Sequence, residues 1–332
     1  MNKSMVSAKM VGLGAYVPET VLTNAYFEKI VDTSDEWIVT RTGIRERHVV
    51  GDSGEATSDL SVKASLQALA DANMTPEELD MIIVGTVTPD MKTPSTACFV
   101  QRALGAKNAA AMDVNAACVG YIYALTSARA YILAGMARNV LVVGCETLTS
   151  ITNYKDRGTC VLFGDGAGAA VLQRTEEPGV GILATHLAAN GDLADLLCVR
   201  LGGSRTPLSP ENIDDEGRFL YMNGSEIFKH AVRYMQNAAE KVIAHAGVKA
   251  EDVSLFIPHQ ANIRIIDSLA KRLSIPEDKL FVNIQNYGNT SSASIPIAMV
   301  EAKQQGRLKP GDLALLVSFG GGLVSGAVLV RF

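Results

Sequence analysis

The stretch MDVNAAC at 112–118, running into VGYIYALTSARAYI at 119–132, decides the architecture. Its first part reads as a short strand. Its second is apolar almost all round at a length that fits a helix, and Cys118 stands at the junction. A helix apolar on every side must be buried between layers. Its N-terminus carries unpaired N–H groups and a partial positive charge, so a thiol placed there is expected to lean toward thiolate. FIPHQAN at 256–262 puts His259 at the end of another apolar run, and NYGNTSSAS at 286–294 puts Asn289 just before a third apolar helix. One thiol and two hydrogen-bonding side chains at strand ends are the parts of a nucleophilic acyl-transfer site. The plain alternative for a cysteine is a small buried hydrophobe, and that reading suits Cys98, Cys145, Cys160 and Cys198.

Composition narrows the class. The chain has 332 residues, 48% hydrophobic and 20% charged, with no Pro/Ser-rich or low-complexity stretch. That balance fits a layered body or a tight dimer rather than modules on a linker. A net charge of −5 leaves no footprint for nucleic acid. The opening MNKSMVSAKMVGLGAYVP lacks the apolar core and cleavage site of a signal peptide. The apolar stretch 118–134 is interrupted by Thr126, Ser127 and Arg129, which argues against a membrane span. Five cysteines in no regular framework point to reduced thiols and a cytoplasmic location. CxxC, HExxH and paired helical histidines are all missing, so no metal is expected. The glycine runs at 164–168 and 320–322 lack the helix and acidic partner of a dinucleotide site, and no cofactor is expected.

The two halves echo each other. TPEELDMIIVG at 75–85 parallels KAEDVSLFIPH at 249–259, GMARNVLVVGCE at 135–146 parallels KPGDLALLVSFG at 309–320, and FGDGAGAAVL at 163–172 parallels FGGGLVSGAVL at 319–329. NAACVG likewise parallels YGNTSS, which would make Cys118 and Asn289 near-equivalents brought together by a pseudo-twofold axis. These pairs divide the chain into halves 1–173 and 174–332. Alternating strands and helices with near-continuous apolar strands call for an α/β fold with buried sheets. Two half-folds, each giving one buried helix, stack as a five-layered α-β-α-β-α sandwich. The segment 58–73 is expected to be a surface helix with an apolar stripe of Val62, Leu66, Leu69 and Ala70, capped by Ser58 or Asp59.

A family resemblance runs through VDTSDEWIVTRTGIRERH at 31–48, AAC at 116–118, DRGT at 156–159, FGDGAGAAVL, PHQANIRII at 258–266, GNTSSAS at 288–294 and FGGG at 319–322. In this order, over essentially the whole chain, the sequence is similar to β-ketoacyl-acyl-carrier-protein synthase III, the initiating condensing enzyme of fatty-acid synthesis in the thiolase-like superfamily. The resemblance implies that same five-layered fold. It also implies that Cys118 takes an acyl group from acyl-CoA in a ping-pong reaction, and that His259 and Asn289 stabilise the carbanion equivalent formed from malonyl-acyl-carrier protein. The backbone N–H groups of Cys118 and Gly321 would form the oxyanion hole. Trp37 and Arg157 would sandwich the adenine of coenzyme A, with Arg41 near its phosphates and Asn262 along its tunnel. Lys229, Arg264, Lys271 and Arg272 would receive the acidic carrier protein. In sequence Lys229 lies apart from the other three. A homodimer is expected, with an exposed strand edge at 81–87. Two departures are visible. Thr93 stands at an acyl-pocket position where some relatives have Phe, and Ser225 stands where relatives often have Asn. Competing readings are a related enzyme priming polyketide or secondary-metabolite synthesis, an acyl-thioester hydrolase, and a catalytically dead partner subunit. An amide at 289 argues against hydrolysis, and intact Cys118, His259 and Asn289 argue against a dead subunit.

Overall fold

The computed structural model describes residues 6–332; Met1–Met5 of the opening segment, read above for a signal peptide, lie outside them. The first half runs β1 (Ser7–Tyr16), β2 (Thr20–Thr23), α1 (Asn24–Phe27), α2 (Asp35–Thr42), β3 (Glu46–Val49), α3 (Thr57–Asp71), β4 (Met81–Gly85), α4 (Thr96–Leu104), β5 (Ala110–Val114), α5 (Gly120–Leu133), β6 (Asn139–Thr147), α6 (Arg157–Cys160) and β7 (Asp165–Thr175). The second runs β8 (Gly181–Ala188), β9 (Leu197–Val199), β10 (Leu220–Met222), α7 (Gly224–Ala246), β11 (Leu255–Pro258), α8 (Ile263–Arg272), α9 (Ile284–Tyr287), α10 (Ser294–Gln304), β12 (Leu313–Gly320) and β13 (Val324–Arg331).

One sheet has the order β1-β7-β6-β4-β5 and the other β11-β12-β13-β8. α3 and α4 cover the outside of the first sheet, α7 and α8 the outside of the second, and α5 and α10 fill the space between. This is the expected α-β-α-β-α sandwich. The central layer explains why α5 is apolar all round: Ile122, Leu125 and Ile132 are fully buried, each worth about 1.5–3 kcal/mol against exposure. β7 ends at Thr175 and β8 begins at Gly181, so the sheets change a few residues beyond the 173/174 division.

Three local expectations are corrected. The buried stripe of α3 is Leu60, Ala64, Ala68 and Leu69 with Ser61 and Ser65, whereas Leu66 is 52% exposed and Ala70 is exposed. The cause is close approach: a Cβ added to Gly12 or Gly14 of β1 would come within 2.2 Å of the Ala68 or Ala64 carbonyl, so only small side chains fit between. The cap of α3 is also different. Ala56 is the N-cap, and the Asp59 carboxylate reaches back to accept from its N–H at 2.8 Å. Finally, β4 is not an edge. It lies between β6 and β5; the end strands of the sheet are β1 and β5, and no residue of β5 is fully buried.

The pseudo-repeat is visible at backbone level. Short 3-10 turns at Ala117–Val119 and Ser291–Ala293 lead directly into α5 and α10. Each opens on a non-glycine residue at positive φ, 47° at Ala117 and 50° at Ser291. Matching turn to turn makes Cys118 the counterpart of Ser292 and Asn289 the counterpart of Asn115. The sequence pairing of Cys118 with Asn289 is therefore offset by three residues.

Candidate active site

A cavity of about 680 Å³ opens between the halves, and Cys118, His259, Asn289, Asn262 and Gly321 all stand on its wall. That volume suits an organic ligand with a long acyl or pantetheine-like chain. Leu148, Ile151, Leu162, Leu220 and Met222 give one side an apolar lining.

Cys118 lies in the 3-10 turn just before α5 and is partly exposed. Its carbonyl accepts from the Ser318 hydroxyl at 2.7 Å. A Cβ added to Gly320 would come 2.7 Å from the Cys118 amide nitrogen, so glycine is required where β12 meets Cys118. Gly321 follows on the cavity wall and presses against the Leu197 carbonyl. Burial opposes the expected thiolate bias in the resting site. Burial pushes the Cys118 thiol up to about 11, a hydrogen bond from Ser291 pulls the other way, and the Glu146 charge adds to the rise. A thiol raised in this way gains most from the helix N-terminus as charge develops on the sulfur.

His259 follows β11 and is buried. Burial drives its imidazole down to about 3, so the ring is neutral throughout the physiological range. Nδ1 lies 2.7 Å from Ser294 Oγ, and that oxygen also accepts from the Gln260 N–H at 3.3 Å. With the serine proton given to Nδ1, the ring carries its own proton on Nε2, a neutral donor. Asn289 is oriented in a similar way. Its N–H donates to the Leu162 carbonyl at 2.8 Å and its carbonyl accepts from Gly164 at 3.1 Å. Its side-chain oxygen accepts from the Ser291 N–H at 2.9 Å, which leaves the amide NH2 free to donate. Two neutral donors without titratable charge suit stabilisation of an enolate oxygen.

The other predicted site residues divide. Asn262 is on the wall and also N-caps α8, accepting from Arg264 N–H at 2.9 Å. Trp37 packs on the apolar cluster that includes Leu220 and Met222, so it borders the cavity without lining it. Arg41 and Arg157 both stand over its ring, at 4.9 and 5.1 Å from the centroid. Arg157 also donates to the Asp32 carbonyl at 2.9 Å. At that spacing no purine fits between Arg157 and Trp37, so a sandwich requires Arg157 to swing away. Thr93 is exposed and off the wall of its own chain's cavity; an acyl-pocket role for it can be exercised only on a second chain. Ser225 is exposed and donates to Asn223, the N-cap of α7, at 3.1 Å.

The basic residues are closer than the sequence separation implied, because α7 packs on α8. Arg264 lies 5.6 Å from the ring centroid of Phe228, which lines the cavity and precedes Lys229. Lys229 is paired with Glu226 at 2.5 Å. Lys271 and Arg272 occupy the opposite end of α8, and Arg272 donates to Gln236 at 3.3 Å.

Sequence reasoning missed Glu146, Ser291 and Ser294, and the second wall thiol, Cys198. A glutamate closing the apolar run VLVVGCE was a usable signal, since a charge ending a buried strand needs partners. The serines carried none beyond their place in the GNTSSAS string.

A cysteine at a strand–helix junction on the cavity wall, faced by a neutral His and Asn across a five-layered duplicated sandwich, defines an acyltransferase of the condensing type. Family models described as "3-Oxoacyl-[acyl-carrier-protein (ACP)] synthase III" and its C-terminal counterpart match residues 112–191 and 243–332. The chain is 52% identical over 327 residues to a β-ketoacyl-[acyl-carrier-protein] synthase III of Caldanaerobacter subterraneus subsp. tengcongensis, covering 98% of both. It superposes on the crystal structure of the Aquifex aeolicus enzyme of that description with a TM-score of 0.90 at 51% identity, covering 98% of this chain and 100% of that one. A priming β-ketosynthase from the R1128 polyketide pathway is also similar, at 35% identity and a TM-score of 0.89, covering 98% of this chain and 96% of that one. The chain belongs to the β-ketoacyl-acyl-carrier-protein synthase III family, the initiating condensing enzymes of fatty-acid biosynthesis.

Proposed function

We propose that the protein condenses an acyl-CoA primer with malonyl-acyl-carrier protein by a ping-pong route through an acyl-Cys118 intermediate. The observation that carries this is the convergence of Cys118, His259 and Asn289 on one cavity wall. Cys118 attacks the thioester carbonyl, coenzyme A leaves, and the tetrahedral oxyanion is met by the backbone N–H groups of Cys118 and Gly321. Malonyl thioester then enters. As its carboxylate departs as CO2, negative charge moves onto the thioester oxygen, where His259 Nε2–H and the Asn289 amide donate. The carbanion equivalent attacks the acyl-Cys118 carbonyl, and the C–S bond breaks to release Cys118 as a thiolate, which takes a proton from solvent.

Trp37, Arg41 and Arg157 hold the nucleotide end of coenzyme A at the mouth, and Asn262 its pantetheine arm. The face around Lys229, Arg264, Lys271 and Arg272 receives the acidic carrier protein, with Arg264 nearest the entrance. The enzyme works as a cytoplasmic homodimer joined through the open β5 edge, with Thr93 reaching the neighbouring acyl pocket. Among the described residues no helix is long and apolar enough to cross a membrane. Higher identity to fatty-acid enzymes than to the polyketide-priming one favours a fatty-acid starter. The test is to mix acyl-CoA primers of increasing length with malonyl-acyl-carrier protein and weigh the carrier-bound product. A β-ketoacyl carrier supports the reading; release of free acid with no condensation product makes the protein a thioester hydrolase. Replacing Thr93 with Phe should narrow the primer range if the dimer arrangement holds.

A further inference from the structure

The two half-reactions leave one proton without an owner. The Cys118 thiol must lose it on attack, while His259 is committed as a neutral donor. Glu146, near the end of β6, is fully buried and plays no part in either step. Its Oε2 is saturated by Thr86 Oγ1 at 3.0 Å, Val87 N at 3.0 Å, Thr88 N at 3.2 Å and Thr88 Oγ1 at 2.7 Å. Its Oε1 faces two hydroxyls, Ser291 at 3.2 Å and Ser292 at 3.0 Å.

Counting protons at Oε1 is informative. Ser292 has a single hydroxyl proton, and the Gly85 carbonyl, a pure acceptor, takes it at 2.7 Å. Oε1 and Ser292 Oγ then face each other as two acceptors unless Oε1 itself carries a proton. The site thus contains a seat for one proton on Glu146, pointing at Ser292. Ser291, the other hydroxyl on Oε1, lines the cavity together with Cys118, and the two turns that carry them pack against each other.

We propose that Glu146 and Cys118 share one proton through the Ser291 hydroxyl, so that Glu146 accepts the thiol proton during acylation. The S–H bond breaks as a new O–H bond forms on Ser291, whose original O–H proton passes to Glu146 Oε1. Sulfur gains the negative charge that the carboxylate gives up, and the buried site holds one charge throughout. Ser291 now donates to the thiolate, and Glu146 Oε1–H donates to Ser292. The leaving thiolate of the acyl donor takes the proton back along the same path. Glu146 acts through Ser291 and is a positioning residue for the proton.

The electrostatics agree. Burial disfavours the charged form of Glu146 as well as of Cys118, and the Glu146 charge further opposes a charge on Cys118. The titratable neighbours are few. Cys145 adjoins Glu146 on β6, with Asp90 and Asp165 on its side, and burial pushes that thiol well up. No cation pairs with Glu146 among the described residues.

The proposal rests on Cys118 being the reactive thiol, and its test needs no acyl donor. The rate of Cys118 alkylation by iodoacetamide is followed by peptide mapping from pH 5 to 10 in the wild type, Glu146→Gln and Ser291→Gly. Glycine suits the positive φ of residue 291, so that variant removes the hydroxyl without backbone strain. The shared proton predicts a wild-type rate that changes less than about twofold across neutral pH, with an acid limb below it. Both variants should rise about tenfold per pH unit over the same range, as an uncoupled thiol does. A wild-type rate that itself rises tenfold per unit, or a plateau that survives in either variant, overturns the proposal. A purely structural role for Glu146 would change melting temperature and leave the shape of the profile alone. If Glu146→Gln does not fold, the wild-type and Ser291→Gly profiles decide. Acylation failing in all three proteins while the plateau appears would count against the proposed function, not against the shared proton.

Discussion

The turn before α5 and the turn before α10 are two copies of one device, yet they carry different chemistry. In the first half, the residue ending β4 is Gly85, which meets Gly120 at the start of α5 so closely that an added Cβ would be 2.5 Å from its carbonyl carbon. In the second half the corresponding pair is His259 and Ser294, joined by a hydrogen bond of 2.7 Å. Near the end of β6 stands Glu146, facing Ser291 and Ser292; the corresponding residue of β12 is Gly320, facing Ala117 and Cys118. Gly144 packs on the Ser292 carbonyl where Ser318 donates to the Cys118 carbonyl. At four matched positions, Gly85 and His259, Gly120 and Ser294, Glu146 and Gly320, and Gly144 and Ser318, one half bears a polar side chain and the other a glycine. On the proposed mechanism, one shared frame carries the nucleophile on the first turn and its support on the second.

The largest expected effect breaks the second half's contribution. His259→Ala and Asn289→Ala should each slow condensation about 100- to 1,000-fold, the usual cost of one oxyanion donor, while acylation by acyl-CoA falls less than about tenfold. Single-turnover assays of the two half-reactions separate these; equal losses would mean that the pair activates the thiol instead. Next come the matched glycines. Gly144→Ala drives a Cβ to 2.3 Å from the Ser292 carbonyl oxygen and Gly320→Ala to 2.7 Å from the Cys118 nitrogen. Both should destabilise by about 1–3 kcal/mol. Gly320→Ala should slow acylation more than Gly144→Ala, because it displaces the sulfur directly. Thermal melts and acylation rates compare the two.

A smaller effect concerns pH. The folded imidazole of His259 titrates at about 3, below the value of about 6.5 that an unfolded histidine has. The unfolded chain therefore binds the extra proton first. The stability that His259 contributes is complete above pH 6.5 and is lost as the pH falls toward 3. His259→Gln should flatten the acid side of the stability curve in urea titrations between those limits, and leave the neutral side unchanged.

Much of this was readable from the chain. The near-complete apolarity of 119–132 demanded a buried layer. Strand ends marked Cys118 and His259, whereas Asn289 follows the short helix α9 and was marked only by the apolar helix after it. Other features were hidden because they depend on distances between backbones. The α3 stripe was misassigned because Gly12 and Gly14 draw the helix close and select alanine and serine for the interface. The edge strand was misplaced because strand order follows from crossovers that no local pattern records. The repeat was aligned three residues out because GNTSS and NAACV resemble each other in composition, whereas the matching left-handed residues, Ala117 and Ser291, are set by geometry. Glu146 went unnoticed because its partners lie on loops about 60 and 145 residues away in sequence.

The most direct measurement is peptide mapping by mass spectrometry after incubation with acyl-CoA alone. The cavity wall offers two thiols, Cys118 and Cys198, while Ser292, the structural counterpart of Cys118, is buried and absent from the wall. Three proteins are compared: wild type, Cys118→Ser, and Cys118→Ser combined with Ser292→Cys. The wild type should carry one acyl group, on Cys118, and the two variants none. An adduct on Cys198, or labelling of the cysteine introduced at 292, would contradict the claim that the first turn alone was made into the nucleophile.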